Sequence, residues 1–277
     1  MPFDVDHLQK PFRKLLDNAK PSRKLADPER VHKLRTTTRR VEAILGVLDL
    51  PKKSRTKTLL NDLKKVRRIA GVVRDMDVLT GKAADVSPAD ERGCQIRLLE
   101  HLGVERHRAG KKLISELKAR GPRARRILKD CAKQLEDLVS DPTAAARMEG
   151  EVRGNAELRT NQLRSFAILT RRNLHEFRKQ AKQLRYVLQI ATPRDEALLK
   201  ALSDMQTAIG EWHDWEELLG IAKEVLRHGR KCGMVRELQL HTDESFDAAM
   251  KNANAVRKRY FTRGSKPVTL RIVPRAA

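Results

Sequence analysis

Apolar residues recur along this chain at intervals of three and four positions, the spacing of an α-helix that buries one face. This spacing predicts a lead helix over about 7–19, a second helix over about 28–50 and a third that begins around 54. Asp27 followed by Pro28 marks the start of the second helix, because proline suits the first helical position. Strand-like alternation is not sustained anywhere before the last ten residues, so the chain is predicted to be all-α.

Glycine and proline divide the rest of the sequence into further predicted helices. A break over 81–88 precedes a helix over 89–119, which Gly121 and Pro122 should end, and another over 123–139. The polar stretch 142–161 is interpreted as the boundary between two halves. The helices predicted after it cover about 165–191, 195–209, 215–229 and 233–261, and a basic, mobile tail follows over 262–277.

Two of the predicted helices carry a histidine and a row of cations opposite their apolar face. At about 100° per residue, the helix through 31–41 gathers His32, Arg35, Thr36, Arg39 and Arg40 on one side. The helix through 174–186 repeats this design 143 positions later. The matching positions are His32 and His175, Arg35 and Arg178, and Arg39 and Lys182. Because the charged face is kept in both copies of the repeat, we expect it to have a role in addition to helix packing.

The segment after each of these helices repeats as well. Gly71 and Asp75 match Gly210 and Asp214 at an offset of 139, so a four-residue deletion separates the two repeated blocks. The repeat predicts an internal duplication, with two pseudo-symmetric four-helix bundles over about 7–141 and about 142–261.

Charge narrows the class of partner. The 277 residues include 59 Lys and Arg against 36 Asp and Glu, which leaves a net charge of +23. Such an excess attracts polyanions and opposes self-association. Nucleic acid, an anionic membrane surface and inorganic polyphosphate all qualify on charge alone.

Three widely spaced cysteines, Cys94, Cys131 and Cys232, form neither a disulfide framework nor a C-x-x-C pair, and we interpret them as buried or incidental thiols. The first residues lack the basic and apolar regions of a signal peptide, and no apolar run approaches the roughly 20 residues of a spanning helix. We therefore expect a soluble cytoplasmic protein in a reducing compartment.

The repeated blocks resemble the CHAD family, the conserved histidine α-helical domain. In the first half they are Val31-His32-Lys33-Leu34-Arg35 with Arg39-Arg40, and Gly71-Val72-Val73-Arg74-Asp75-Met76-Asp77. In the second half they are Leu174-His175-Glu176-Phe177-Arg178 with Ala181-Lys182-Gln183-Leu184-Arg185-Tyr186, and Gly210-Glu211-Trp212-His213-Asp214.

The resemblance covers about residues 7–261 and implies one CHAD domain that binds inorganic polyphosphate along a basic surface or central channel. Two positions depart from the repeat: Gln183 stands where the first half has Arg40, and Thr36 matches Lys179. CHAD domains often follow a CYTH triphosphate-binding domain. No strand array with its E-x-E-x-K signature occurs in this sequence, so we expect a stand-alone binder.

Residues three and four apart on a helix lie about 5–6 Å from each other, so the cations form a file that a linear polyanion could follow. Arginine offers a bidentate fork for phosphate oxygens and lysine a compact charge. The candidate polyphosphate-binding residues are His32, Arg35, Arg39, Arg40, Lys64, Arg67, Arg68, Arg74, His175, Arg178, Lys179, Lys182 and Arg185. The alternative is that these cations form an ordinary solvated helix surface.

The two histidines allow three interpretations: phosphate donors, structural residues near a helix end, or metal ligands. The metal interpretation is disfavoured because Arg35 and Arg178 lie one turn away and repel cations. Asp75 and Asp77 resemble a D-x-D metal motif, for which we prefer salt bridges or a helix cap. Trp212 and Trp215 are predicted to lie in the core.

The sequence carries no phosphate-binding glycine loop of the Walker type, no H-E-x-x-H and no nucleophile elbow, and it predicts no catalysis, cofactor or metal. The leading hypothesis is non-catalytic binding of inorganic polyphosphate, with targeting to polyphosphate granules. Nonspecific nucleic-acid binding is the alternative, although aromatic residues make up only 4% and stacking platforms need them. A phosphohydrolase would need an acidic metal cluster. The oligomeric state stays open.

Overall fold

A computed structural model describes residues 3–19, 27–47, 54–86, 92–190, 195–226 and 232–262. These ranges contain eight α-helices and no strand, which confirms the all-α prediction. The helices are α1 (Val5–Asn18), α2 (Pro28–Val47), α3 (Ser54–Asp85), α4 (Arg92–Ser140), α5 (Pro142–Arg164), α6 (Arg171–Leu188), α7 (Glu196–Leu226) and α8 (Gly233–Tyr260). The predicted tail lies outside the described residues.

Short polar side chains start several of these helices. The Asp4 carboxylate accepts a hydrogen bond from the His7 backbone N–H at the start of α1. Asp141 caps α5 in the same way, with Pro142 directly after it. The backbone N–H of Thr170 donates to the side chain of Asn173 at the start of α6. Local sequence therefore sets these starts, as N-capping requires.

Two helices are longer than predicted. α4 runs unbroken through Gly121 and Pro122, and α7 runs unbroken through Gly210. A helical proline costs about 3 kcal/mol, but Leu117 and Leu128 on either side of it are buried in the core. Tertiary packing therefore outweighs the local signal to break. The polar stretch interpreted as a boundary is itself the helix α5.

Two apolar cores hold the molecule together. The larger core takes residues from all eight helices, and the smaller one takes residues from α3, α4, α7 and α8. Both cores therefore draw on both halves of the chain. Each half has a motif helix followed by two long helices that pack against each other. The internal duplication stays a prediction.

The packing of the halves brings the motif helices together. α2 packs against α6, and α3 packs against α7, so the two charged segments lie next to each other. All three cysteines are free and buried, as predicted. Trp212 lies in the larger core, and Trp215 packs at the edge of the smaller one. Within the described part of the chain, no helix is long and apolar enough to cross a membrane.

Candidate functional site

Four cations from the two motif helices form a cluster where α2 and α6 meet. We call Arg35, Arg39, Arg178 and Lys182 the central cationic cluster. The four side chains lie close together, because the charges of all three arginines contribute to the lowered pKa of Lys182. Positions 143 residues apart in the sequence, Arg39 and Lys182, are thus neighbours in the fold.

Lys182 is the most perturbed group of the cluster. Burial lowers its pKa from 10.5 to about 6, and the charges of Arg39, Arg178, Arg35 and Arg185 act in the same direction. A buried ammonium group loses its hydration, and neighbouring cations penalise its charge further. Lys182 is therefore largely neutral at pH 7, whereas the arginines around it keep their charge.

Two arginines of the cluster are also desolvated. Burial is the main cause that lowers the pKa of Arg39, and the charge of Arg35 adds to it. The Tyr186 hydroxyl accepts a hydrogen bond from Arg39, which opposes this shift. Burial lowers the pKa of Arg178 too, while the carboxylate of Asp214 opposes it. Like charges held together with little water favour an incoming anion.

A glycine on the neighbouring helix lies beside the motif arginine in each half, and only the one in the second half is needed to make room for it. A Cβ atom at Gly71 would lie 3.7 Å from Nε of Arg35, and one at Gly210 would lie 2.7 Å from an Nη of Arg178. Arg35 also approaches Asp75 at 3.7 Å. The repeated glycine–aspartate blocks are therefore the places on α3 and α7 where the motif arginines pack.

The arginine of the second half is held differently. Arg178 donates a hydrogen bond from Nε to the backbone carbonyl of Gln206 at 3.3 Å. Asp214 lies half-buried near it, and burial raises the pKa of that carboxyl. Burial likewise raises the pKa of Glu217, and the charge of Asp75 adds to the shift.

Each motif histidine lies beside the residue that precedes the aspartate of these blocks. Partial burial lowers the pKa of His32, and Arg74 is the strongest charge that adds to the shift. Partial burial also lowers the pKa of His175, whose ring centroid lies 5.1 Å from that of His213. Arg74 and His213 thus hold the same place in the two halves. Both motif histidines are mainly neutral at pH 7 and retain one N–H donor each.

The carboxylates that resembled a metal motif form ion pairs instead. Asp75 pairs with Arg35, and Asp77 pairs with Arg106 at 2.5 Å. Our preference for salt bridges at these positions is confirmed. Across the described ranges, no group of three or more His, Cys, Asp and Glu side chains is placed to hold a metal ion.

A cavity of about 420 Å³ opens beside the cluster, and we call it the Lys182 pocket. α2, α3, α5 and α6 provide its walls. The cations that line it are Arg39, Arg67, Arg159, Lys179 and Lys182. Two of them have acidic partners, since Arg67 contacts Glu42 at 2.6 Å and Lys179 contacts Glu176 at 2.7 Å.

A second cavity of about 330 Å³, which we call the Arg185 pocket, lies between α1, α2, α6 and α7. Arg40 and Arg185 line this cavity and not the Lys182 pocket. Tyr186 and Ala43 line both cavities and so form the wall between them. The sequence placed Arg39 and Arg40 on one surface, whereas the structure puts them on opposite sides of this wall.

Not every predicted binding residue lies in the central cationic cluster or lines one of the two pockets. Lys64 and Arg68 are exposed on α3 and line neither pocket, although Lys64 lies close enough to Glu42 to affect its pKa. Conversely, the sequence analysis missed Arg159. It lies on α5, which carries no histidine motif, and only the packing of α5 on α6 brings it to the pocket.

Comparisons with known proteins agree with this architecture. The sequence profile of the CHAD domain matches residues 6–223. The CHAD domain from the plant Ricinus communis is similar in structure, with a TM-score of 0.56, 19% identity, and coverage of 92% of this chain and 86% of that one. PptA from Streptomyces chartreusis is also similar, with a TM-score of 0.64, 17% identity, and coverage of 94% and 99%. None of the curated proteins matches the sequence. At these identities the structural likeness shows the fold alone.

Proposed function

The chain belongs to the CHAD domain family, and from this premise we propose that it binds inorganic polyphosphate through its two motif helices, without catalysing a reaction. The polyphosphate chain runs along the central cationic cluster and enters the Lys182 pocket. Such binding would bring the protein to polyphosphate granules in the cytoplasm.

The central cationic cluster is the observation that carries this proposal. Three arginines surround Lys182, and their positive charges disfavour its protonated form. Together with burial, they leave this lysine largely neutral. A cluster of this kind costs free energy in the ligand-free protein, because its desolvated like charges repel one another and the carboxylates of Asp75 and Asp214 offset only part of that repulsion. An anion with closely spaced negative charges relieves that cost. Its phosphate oxygens accept hydrogen bonds from the arginines, and its charge raises the pKa of Lys182, so that the lysine takes up a proton again.

The shape of the site favours a thin, flexible polyanion. Duplex DNA is stiff, with a persistence length of about 50 nm, so its phosphates cannot follow cations into a cavity of about 420 Å³. A polyphosphate chain has no bases or sugars and can enter. The main alternative, nonspecific nucleic-acid binding, draws on the exposed cations and the net charge of +23.

Calorimetry with long-chain polyphosphate at about 150 mM salt tests the proposal, because free surface charges are strongly screened there. The informative variant is Lys182→Glu. A glutamate among the arginines neutralises the cluster from within, so the protein stays folded while the anion site is lost. Lys118→Glu on α4 is the matched control, since Lys118 is exposed, lines neither pocket and undergoes the same lysine-to-glutamate exchange.

We expect Lys182→Glu to weaken polyphosphate binding by about 100-fold, because it places a negative charge beside the phosphates of the ligand, and the control to weaken it by less than about threefold. Duplex DNA should displace polyphosphate poorly from the parent protein. If both variants weaken binding equally, or if DNA competes as well as polyphosphate, net charge alone explains the binding and the proposal fails.

A further inference from the structure

The Arg185 pocket differs from the Lys182 pocket in what forms its floor. Its floor contains Leu8, Ile44 and Leu199, which are at most 8% exposed. Pro11 and Ile190 are also buried in its lining. A bare polyphosphate chain carries charge on every unit and gains nothing from such a floor, whereas a ligand with an apolar body gains from burying it.

Cations surround the same cavity. Lys10, Lys14, Arg40 and Lys200 are exposed residues of its lining, Arg185 is half-buried within it, and Glu196 is the carboxylate among the lining residues. This balance selects an anionic group at the mouth of the pocket. An apolar floor together with convergent cations is typical of a small-molecule site, and the volume of about 330 Å³ lies at the lower end for such sites.

Arg185 provides a donor that is not satisfied by the described residues. One Nη of Arg185 donates to the Ser203 hydroxyl at 3.0 Å, and the guanidinium lies 5.7 Å from the ring centre of Tyr186. Its Nε is buried and has no hydrogen-bond partner within the described ranges. A buried donor normally has a partner, so a ligand oxygen that reached this nitrogen would satisfy it.

From these three features we propose that the Arg185 pocket is a second binding site, for a compact organic phosphate whose apolar body lies among Leu8, Ile44 and Leu199 and whose phosphate contacts Arg185 and the lysines of α1. Nucleotides and short-chain phospholipids share this chemistry. The site is separated from the Lys182 pocket by Tyr186 and Ala43. The proposal does not depend on polyphosphate binding, since the residues of its floor and rim lie outside the central cationic cluster.

The test is calorimetry on the full chain with four probes: ADP, dihexanoyl phosphatidic acid, adenosine and inorganic pyrophosphate. ADP or the phosphatidic acid should bind with saturation at one site per chain, and whichever binds tighter identifies the source of the ligand. Adenosine lacks the phosphates and pyrophosphate lacks the apolar body. Each should therefore bind at least about tenfold more weakly than the tighter organic phosphate, which corresponds to the loss of one major contact.

The variant Lys14→Ala/Arg40→Ala removes two exposed cations from the pocket and should weaken organic phosphate binding by about tenfold. Lys118→Ala/Lys129→Ala is the matched control, because both lysines are exposed on α4, line neither pocket and remove the same charge. The control should stay within about twofold of the parent protein.

Three results would overturn the proposal. The first is the absence of saturable binding by both organic phosphates. The second is pyrophosphate binding as tight as that of ADP and the phosphatidic acid, which would show a site for phosphate alone. The third is organic phosphate binding that Lys182→Glu abolishes and Lys14→Ala/Arg40→Ala leaves unchanged, which would assign the ligand to the other pocket.

Discussion

The two motif helices present the same face with different chemistry. α2 places Arg39 in the central cationic cluster, and α6 places Lys182 at the matching position. Both side chains are desolvated, but the guanidinium keeps its charge while the pKa of the lysine falls to about 6. One half of the site therefore offers a permanent charge, and the other half offers a charge that a ligand must restore.

The contacts that hold the motif arginine also differ between the two halves. Arg35 approaches the carboxylate of Asp75, whereas Arg178 donates to a backbone carbonyl and crowds Gly210. The backbone of α7 thus leaves less room beside Arg178 than the backbone of α3 leaves beside Arg35. Pseudo-symmetry at the level of residues does not make the halves equivalent in charge or in packing.

The largest effect expected from this difference between the halves is the pH dependence of polyphosphate binding, which depends on Lys182 alone of the matched pair. A bound polyanion raises the pKa of Lys182, so the complex holds a proton that the free protein has lost above about pH 6. Affinity should therefore fall as pH rises from 6 to 8, by on the order of 30-fold. Calorimetry in buffers of different ionisation enthalpy measures the affinity and the proton uptake together.

Lys182→Arg sharpens this comparison because it makes the two halves alike. The variant keeps the positive charge at every pH, so the steep part of the profile should disappear. The two histidines, whose pKa values are also lowered, would leave a weaker dependence of the same sign near pH 6. A Lys182→Arg protein with the same profile as the parent would show that Lys182 is not the titrating group.

The next effect concerns stability without ligand. The pKa of Lys182 in the folded protein lies far below its value of 10.5, so the unfolded chain holds the extra proton between about pH 6 and 10.5. The group thus destabilises the fold fully below about pH 6, and its penalty decreases as pH rises through that window. Lys182→Met should stabilise the ligand-free protein at pH 6 by about 2 kcal/mol, which thermal unfolding would record as a rise of about 5 °C in Tm.

Arg39→Met is the matched change on the other motif helix. It also removes a desolvated cation, but it takes away the hydrogen bond that Arg39 makes to Tyr186. Its stabilising effect should therefore be smaller than that of Lys182→Met. Equal gains from the two variants would contradict the asymmetry inferred for the cluster.

Alanine substitutions at the two glycines should have a smaller effect, and they compare the packing around the motif arginine in the two halves. Gly71→Ala places a Cβ at an ordinary distance of 3.7 Å from Arg35, so it should stabilise α3 by up to about 1 kcal/mol through helix propensity. Gly210→Ala places a Cβ at 2.7 Å from Arg178 and displaces the guanidinium.

For Gly210→Ala we expect no net gain in stability and polyphosphate binding weakened by about fivefold, or roughly 1 kcal/mol. Urea unfolding and calorimetry of both variants decide this. Identical behaviour of the two alanine variants would mean that Arg178 moves aside without consequence.

The smallest expected effect is on the histidines. Arg74→Ala should raise the pKa of His32, and His213→Ala should raise that of His175, in each case only in part because burial remains the main cause of the lowered pKa. Titration of the imidazole C–H signals by NMR gives both values. A fall in either pKa would contradict the neighbours assigned here.

Much of the fold was predictable because it depends on local chemistry. The period of the apolar residues and the start signal Asp27-Pro28 predicted α2 at the position where it begins. The breaks predicted at Pro122 and near Gly210 were wrong, since burial of the flanking residues decides whether a helix continues through them. Glycine and proline inside a helix each cost a similar amount of free energy wherever they occur, but the packing that outweighs this cost comes from distant parts of the chain.

By itself the sequence determined which side chains the charged faces carry and that this design occurs twice. Only the tertiary structure decided which of these side chains meet. Arg39 and Arg40 are neighbours in the chain, yet Tyr186 of the other half separates the pockets they line. Arg39 and Lys182 lie far apart in the chain, yet they share one cluster. The charge state of Lys182 depends on desolvation and on the cations around it, and both arise only when the two halves pack together.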